Sequence, residues 1–445
     1  MCDLTELTSC YSNTAPAQTT EAGVDLKLGF RAQLRLFAQG ARVGINRPDV
    51  AKFLLNYSAD ASTALTDIED MVEWFWFLFS QKAWQKLIQT ARTTERLGEL
   101  PLHVADLIWL AFYRGQTKRL LAGSDKGVFE QEGAALIGFI QERWPAASDR
   151  HILYTAMVSH VTGNGAEARK VFATLQPSEP LIEPLAAVLT VLPKNSRSHL
   201  ALDRSKLKIT KSQAEHVTLI SLDRTYFDKY AYQVAQNFFL TNPENGLHFH
   251  CSGFDPASDI QAWNLNGSIG WTTDSRDLGV LTEQSRRGYY AAARYIFLPH
   301  YLTLYRSVFV ADVDGLMLRD VAEIDAEHTS EDIVLSTRVL DSERELNRLP
   351  WEAVTACAFL ARATTGGRKF VRAVSGYLTE IMLRAENEGR PFWYADQAAL
   401  YYSWLDCKND VRFGRFYRPP FKQVGSWRLF QGDAERLEFL SSKLR

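Results

Sequence analysis

The stretch Ser307–Val321, SVFVADVDGLMLRDV, decides how the chain is read. Val308 to Ala311 form a short apolar run suited to a buried strand, and Asp312, Val313 and Asp314 place two carboxylates at its C-terminal end. Side chains two apart on a strand share one side, so a strand continued through Asp314 aims both acids the same way. Gly315 permits a sharp turn, and Leu316 and Leu318 resume the apolar pattern. Two carboxylates beside a buried strand are costly unless compensated. A divalent cation bridging to phosphate oxygens is one compensation, and a solvated turn is the plainer alternative.

Strands and helices alternate on either side of this stretch. Val217–Leu222, Leu247–Cys251, Ser268–Thr273, Ile333–Ser336 and Thr355–Ala361 read as strands. Tyr226–Leu240, Asp259–Asn264, Arg286–Leu298, Lys369–Glu388 and Trp393–Leu405 read as helices. Such alternation predicts an α/β domain with a mostly parallel sheet, over residues 213–445. Ligands of open α/β sheets bind beyond the carboxyl ends of the strands, which draws attention to Ser221, Leu222 and Asp223. Asp223 is equally suited to accept from a ribose or base and to cap the helix that follows.

The segment Tyr289–Val321, YYAAARYIFLPHYLTLYRSVFVADVDGLMLRDV, resembles the donor-site segment of GT-A glycosyltransferases, most closely those of family 8. In that family an aromatic-rich helix carries an Arg, a Leu-Pro break follows, and a strand ends in Asp-x-Asp. The counterparts here are Arg294, Leu298 with Pro299, and the triplet Asp312, Val313 and Asp314. The resemblance implies a Rossmann-like sheet, a nucleoside diphosphate sugar donor, and Mn2+ or Mg2+ held by Asp312 and Asp314. Arg294 would reach the donor sugar or diphosphate, although a surface salt bridge is the competing account. Phe392–Leu400, FWYADQAAL, is similar to the family's Asp-Gln element, so Asp396 would bind sugar hydroxyls and Gln397 would face the anomeric carbon.

Two departures from the family stand out. Thr355–Arg362, TACAFLAR, occupies the place of its Asn-Ala-Gly strand, with Cys357 where Gly is expected. The family's C-terminal metal-binding His is missing, since the last histidine is His328. The tail Tyr417–Ala434 instead contains Ser426 and Trp427, similar to the Ser-Trp of a C-terminal loop in clostridial glucosylating toxins. By that likeness Ser426 would complete the metal shell and Trp427 would lie on the donor. Asp433 or water could take the same metal position, and Arg415, Arg418 and Lys422 could neutralise a leaving diphosphate.

The N-terminal half reads differently. Residues 1–24 are rich in Thr, Ser and Ala and suit a mobile tail. Residues 25–192 carry helical periodicity broken by short loops, which predicts an all-α array of helical hairpins, solenoid-like in character. His151–Gln176 resembles part of a tetratricopeptide repeat, with Tyr154, Gly163, Ala166 and Phe172 at hairpin spacing. The aromatic run Trp74, Phe75, Trp76, Phe77 and Phe79 suits core packing better than a binding groove. Residues 193–212 are polar and basic and suit a linker.

A net charge of -2 gives no support to a nucleic-acid partner. The five cysteines show no CxxC and no zinc spacing, so reduced thiols and a cytoplasmic location are the simple account. No signal-peptide pattern and no apolar run of membrane-spanning length is present. The sequence therefore reads as a two-domain glycosyltransferase using a UDP-sugar; the family resemblance implies retention, and the lack of an evident general base agrees with it. Its acceptor could be a protein bound by the helical domain. An adaptor with a catalytically silent α/β domain is the alternative, and nucleotidyl transfer fits less well because it has no use for Asp396 and Gln397.

Overall fold

The computed structural model describes residues 30–42, 48–56, 65, 67–121, 125–194, 202–317, 319–337, 348–389, 392–416 and 421–423. The tail read at 1–24 and the candidates Ser426, Trp427 and Asp433 lie outside these residues. The described chain forms two compact units, one up to Ala186 and one from Ala187.

The first unit is helical. Asp67 caps the helix Ile68–Ser80 by accepting the Glu69 N–H at 2.9 Å. Met71, Trp74, Phe75 and Leu78 repeat at helical spacing and are buried, and Trp74 stacks on Phe77 at 5.2 Å. Much of the aromatic run is therefore core. The helices Ser148–Thr162 and Gly165–Thr174 turn at Gly163, whose φ of 120° suits a residue without Cβ. Tyr154 and Phe172 are buried in this pair, whereas Ala166 is exposed and Ala168 takes the small buried position. At the end of the helical array read over 25–192, only the short helix Glu183–Ala186 and a 3-10 turn, Ala187–Thr190, form, in a stretch carrying Pro180 and Pro184.

The second unit holds an eight-stranded sheet. Its strands are β1 (Leu207–Thr210), β2 (His216–Leu222), β3 (Gly246–Ser252), β4 (Ile269–Asp274), β5 (Ser307–Ala311), β7 (Ile333–Thr337), β8 (Val354–Arg362) and β9 (Phe413–Arg415). A separate ribbon pairs β6 (Gly315–Met317) with β10 (Phe421–Gln423). The spatial order in the sheet is β1-β4-β3-β2-β5-β8-β7-β9. The block β4-β3-β2-β5 is parallel, as the alternation predicts. β8 runs antiparallel to both β5 and β7, and β1 runs antiparallel to β4, so the sheet is mixed. β1 lies in the stretch read as a linker.

Burial explains the helix that leads to the acidic turn. Thr282 caps Glu283–Ile296, and Ser285, Gly288, Tyr289, Ala292, Ala293 and Ile296 repeat at helical spacing along its buried face. Pro299 then falls at the second residue of Leu298–Leu304, where a missing N–H costs little. No helix among the described residues is long and apolar enough to cross a membrane.

Candidate functional site

The strand ends three residues short of a strand continued through Asp314. β5 stops at Ala311, and Val313 and Asp314 form a turn into β6. The two acids nevertheless keep one character: Val313 is buried in the core, while Asp312 and Asp314 are both part-exposed. The turn, not a pleat, separates them from the apolar residue between.

Register fixes what surrounds this turn. Leu219 of β2 pairs with Val310 of β5, so the end of β2 at Leu222 lies at the same edge of the sheet. Ala311 pairs with Ala358 of the antiparallel β8, which brings Ala356 and Cys357 to that edge as well. On the ribbon, Gln423 pairs with Gly315, so the chain leaves β10 beside Asp314.

Arg294 is almost fully buried, at 2% exposure, and joins several of these groups. Its guanidinium pairs with the Asp312 carboxylate, donates through NH1 to the Ala311 carbonyl at 2.6 Å, and donates through NH2 to the Ala356 carbonyl at 3.2 Å. The adjacent Tyr295 hydroxyl donates to the same Ala356 carbonyl at 2.6 Å. Burial works against the Arg294 charge, yet Asp312, Tyr295 and Asp396 together hold its pKa above the ordinary value.

Asp396 belongs to this cluster. It lies in the first turn of the helix Ala395–Cys407, and its Oδ1 accepts the Gln397 N–H at 2.8 Å. Burial raises its pKa and the Asp312 charge adds to this, while Arg294 pulls the other way. Asp312, Arg294 and Asp396 therefore form one electrostatic group drawn from three separate segments. The Gln397 side-chain nitrogen donates to the carbonyls of Trp351 at 2.6 Å and Val354 at 3.0 Å once its amide is oriented to satisfy both. Tyr394, two residues before Asp396, has a φ of 63°, a left-handed conformation costly for a bulky side chain. The thiol of Cys357 is raised chiefly by burial and then by the charge of Asp312.

The end of β2 is engaged differently. Ser221 donates to the Ala291 carbonyl at 3.0 Å and Leu222 is 2% exposed, which ties the strand to the Glu283–Ile296 helix. Asp223 caps the next helix by accepting the Tyr226 N–H at 2.9 Å, and its charge helps raise the Tyr290 hydroxyl, whose shift comes first from burial. Arg287 pairs with Glu283 on an exposed helix face.

Residues not singled out in the sequence complete the setting. Asn237 Oδ1 accepts the Met317 N–H at 3.1 Å, and Asn242 Oδ1 accepts the Val321 N–H at 2.6 Å. Both hold the return from the acidic turn. Neither had a sequence signal, because an Asn inside a helix, like Asn237, or just past its end, like Asn242, reads as a polar surface residue.

Among the described residues no group of three or more His, Cys, Asp or Glu side chains is placed to hold a metal. Asp312 and Asp314 offer oxygen donors alone, a set that fits Mg2+ or Mn2+ bound through one or two carboxylates and filled out by water and phosphate oxygens.

No protein-family model matches the chain and no curated protein matches it. Among solved structures it is similar to the apo form of the glycosyltransferase GlyE of Streptococcus pneumoniae TIGR4, with 12% identity over 46% of this chain and 45% of that one, TM-score 0.31. It is similar to an active-site mutant of LgtC, with 13% identity over 51% of this chain and 95% of that one, TM-score 0.34. A third is the apo form of mouse xyloside xylosyltransferase 1, with 10% identity over 46% and 85% of the two chains, TM-score 0.30. The match thus spans under half the length of the GlyE chain. These likenesses are too distant to assign an activity, and the site stands on its own geometry.

Proposed function

We propose that the chain is a GT-A-type glycosyltransferase that moves a sugar from a UDP-sugar to an acceptor, with Mn2+ or Mg2+ held at Asp312 and Asp314. The observation that carries this reading is the meeting of Asp312, Arg294 and Asp396 in one electrostatic group at the carboxyl edge of the parallel strands. A structural ion pair needs two partners. A second carboxylate in the field of the same guanidinium, its pKa raised chiefly by burial, suits a group that hydrogen-bonds a polyol.

The cation would supply charge stabilisation for the departing diphosphate. Asp312 and Asp314 would direct carboxylate oxygens to it from the turn. Asp396 would accept from or donate to sugar hydroxyls, fixing the anomeric carbon toward the acceptor, and Gln397 would lie beside that carbon. The end of β2, with Ser221, Leu222 and Asp223, would border the nucleoside, Ser426 would complete the metal shell, and Trp427 would bind the donor. The bond from the anomeric carbon to the phosphate oxygen breaks as the bond to the acceptor oxygen forms, and the acceptor proton passes to the leaving phosphate. Retention follows if both events share one face of the sugar. The helical unit would bind the acceptor, a protein in this reading.

Calorimetric titration with UDP in the presence and absence of Mn2+ tests the proposal. Binding that requires the metal is expected, and no binding under either condition overturns it. A second reading, a catalytically silent adaptor, rests on the two departures from the family pattern: Cys357 in place of Gly, and no histidine after His328. That reading predicts no UDP binding.

A further inference from the structure

An arginine that reads a ligand keeps donors turned toward the place the ligand occupies. Arg294 does the opposite. It is 2% exposed in a cluster whose carboxylates Asp312 and Asp396 are only part-buried. NH1 is used on the last carbonyl of β5, and NH2 on a carbonyl near the start of β8 and on Asp312. Its Nε–H is sealed from solvent and has no acceptor among the described residues. One planar group therefore stitches together the ends of two antiparallel strands and takes hold of the carboxylate beside them.

We infer that Arg294 is a positioning residue: it fixes the Asp312 carboxylate and the β5–β8 junction, and does not itself touch the donor. The inference departs from the donor contact that the family resemblance implies for Arg294. The identity of the ligand rests on the proposed glycosyl transfer, whereas the clamp does not. Lysine cannot substitute, because a single ammonium cannot span three acceptors arranged for a planar fork. The neighbouring Tyr295 hydroxyl, on the same Ala356 carbonyl, holds the helix to β8 and keeps the guanidinium in place.

A double-mutant cycle separates acting through Asp312 from acting on the donor. Wild type, Arg294→Gln, Asp312→Asn and the double variant are titrated with UDP and Mn2+, and their melting temperatures are recorded. R294Q is expected to weaken UDP binding by about 10- to 100-fold, the range typical of partners that orient a metal ligand. In the D312N background the same change should weaken binding no further. Equal factors in both backgrounds mean that Arg294 meets the donor directly, and the inference fails. Arg294→Lys keeps the buried charge and covers the case in which R294Q does not fold. A loss of UDP affinity of about 10-fold or more in R294K supports the clamp, and wild-type affinity overturns it. Should the wild type bind no UDP, the glycosyl-transfer reading falls and melting temperatures alone decide: non-additive shifts support the clamp and additive shifts refute it.

Discussion

Inside the helical unit the Tyr154 hydroxyl donates to the Asp106 carboxylate at 2.6 Å, and neither residue reaches solvent. Arg150 Nε stands 3.4 Å from the same oxygen. Burial pushes the Asp106 carboxyl up to about 6, and the Arg150 charge and the hydrogen bonds only partly oppose it. An acid whose pKa is raised on folding binds its proton more tightly in the native state. The stability it contributes is present below the unfolded value near 4 and is lost as pH rises through about 6. Urea unfolding between pH 4 and pH 7 should show this decline in the helical unit, at no more than about 1.4 kcal/mol per pH unit. Asp106→Asn should remove that part of the slope, and an unchanged slope contradicts the assignment.

Asp314→Asn keeps the shape of the acidic turn and removes one charge. Stabilisation of the protein by UDP with Mn2+, read as a rise in melting temperature, should be largely lost, while the melting temperature without ligand changes little. Metal-dependent hydrolysis of a UDP-sugar should fall in parallel. Turnover at the wild-type level would falsify the role given to Asp314.

Asn242 has no exposure and offers its Oδ1 to the Val321 N–H at 2.6 Å. In Asn242→Leu that N–H is left buried without its acceptor, at a cost of about 1–3 kcal/mol. Denaturant unfolding should register the loss. Because the same contact anchors the return from Asp314, affinity for UDP with Mn2+ should drop as well. A variant with unaltered stability shows that the contact contributes nothing.

Gly288, on the helix Glu283–Ile296, lies close against Phe392, in the segment before the helix Ala395–Cys407. A Cβ at position 288 meets the Phe392 Cδ1 at 2.9 Å and its carbonyl oxygen at 3.1 Å. The ring can rotate away but the backbone cannot, so Gly288→Ala must displace the segment that leads through Tyr394 to Asp396. We expect a destabilisation of about 1–3 kcal/mol, with weaker binding of the intact UDP-sugar than of UDP alone. Wild-type affinity for both ligands refutes the coupling between Gly288 and Asp396.

The parts of the fold legible in the sequence are those carried by strong local periodicity. Val308 to Ala311 is apolar throughout and is a central strand. The Glu283–Ile296 helix has an apolar stripe and a capping Thr, and it forms close to the expected residues. What periodicity cannot encode is strand direction, which depends on how the chain returns. The antiparallel course of β8 therefore has no local signal, and neither does β1, four residues of alternating burial at the sheet edge. In the site, Asp312 drew attention as a charge closing an apolar run, which needs a reason, whereas Arg294 and Asp396 were marked by the family resemblance. Tyr295, Asn237 and Asn242 escaped notice, since the first two read as ordinary helix and the third as a residue after one, and each gains its role only from a partner far away in sequence.

The placement of β8 between β5 and β7 has a consequence for biosynthesis. β7 pairs with β8 and β9, both of which follow it in the chain, so it has no partner in the sheet when it leaves the ribosome. Until residues through Arg362 have emerged, the apolar runs Val308–Val310 and Ile333–Leu335 each present an open edge to other nascent chains. A ribosome stalled before Val354 should therefore hold a product that aggregates or engages chaperones, and one stalled well past Arg415 should not.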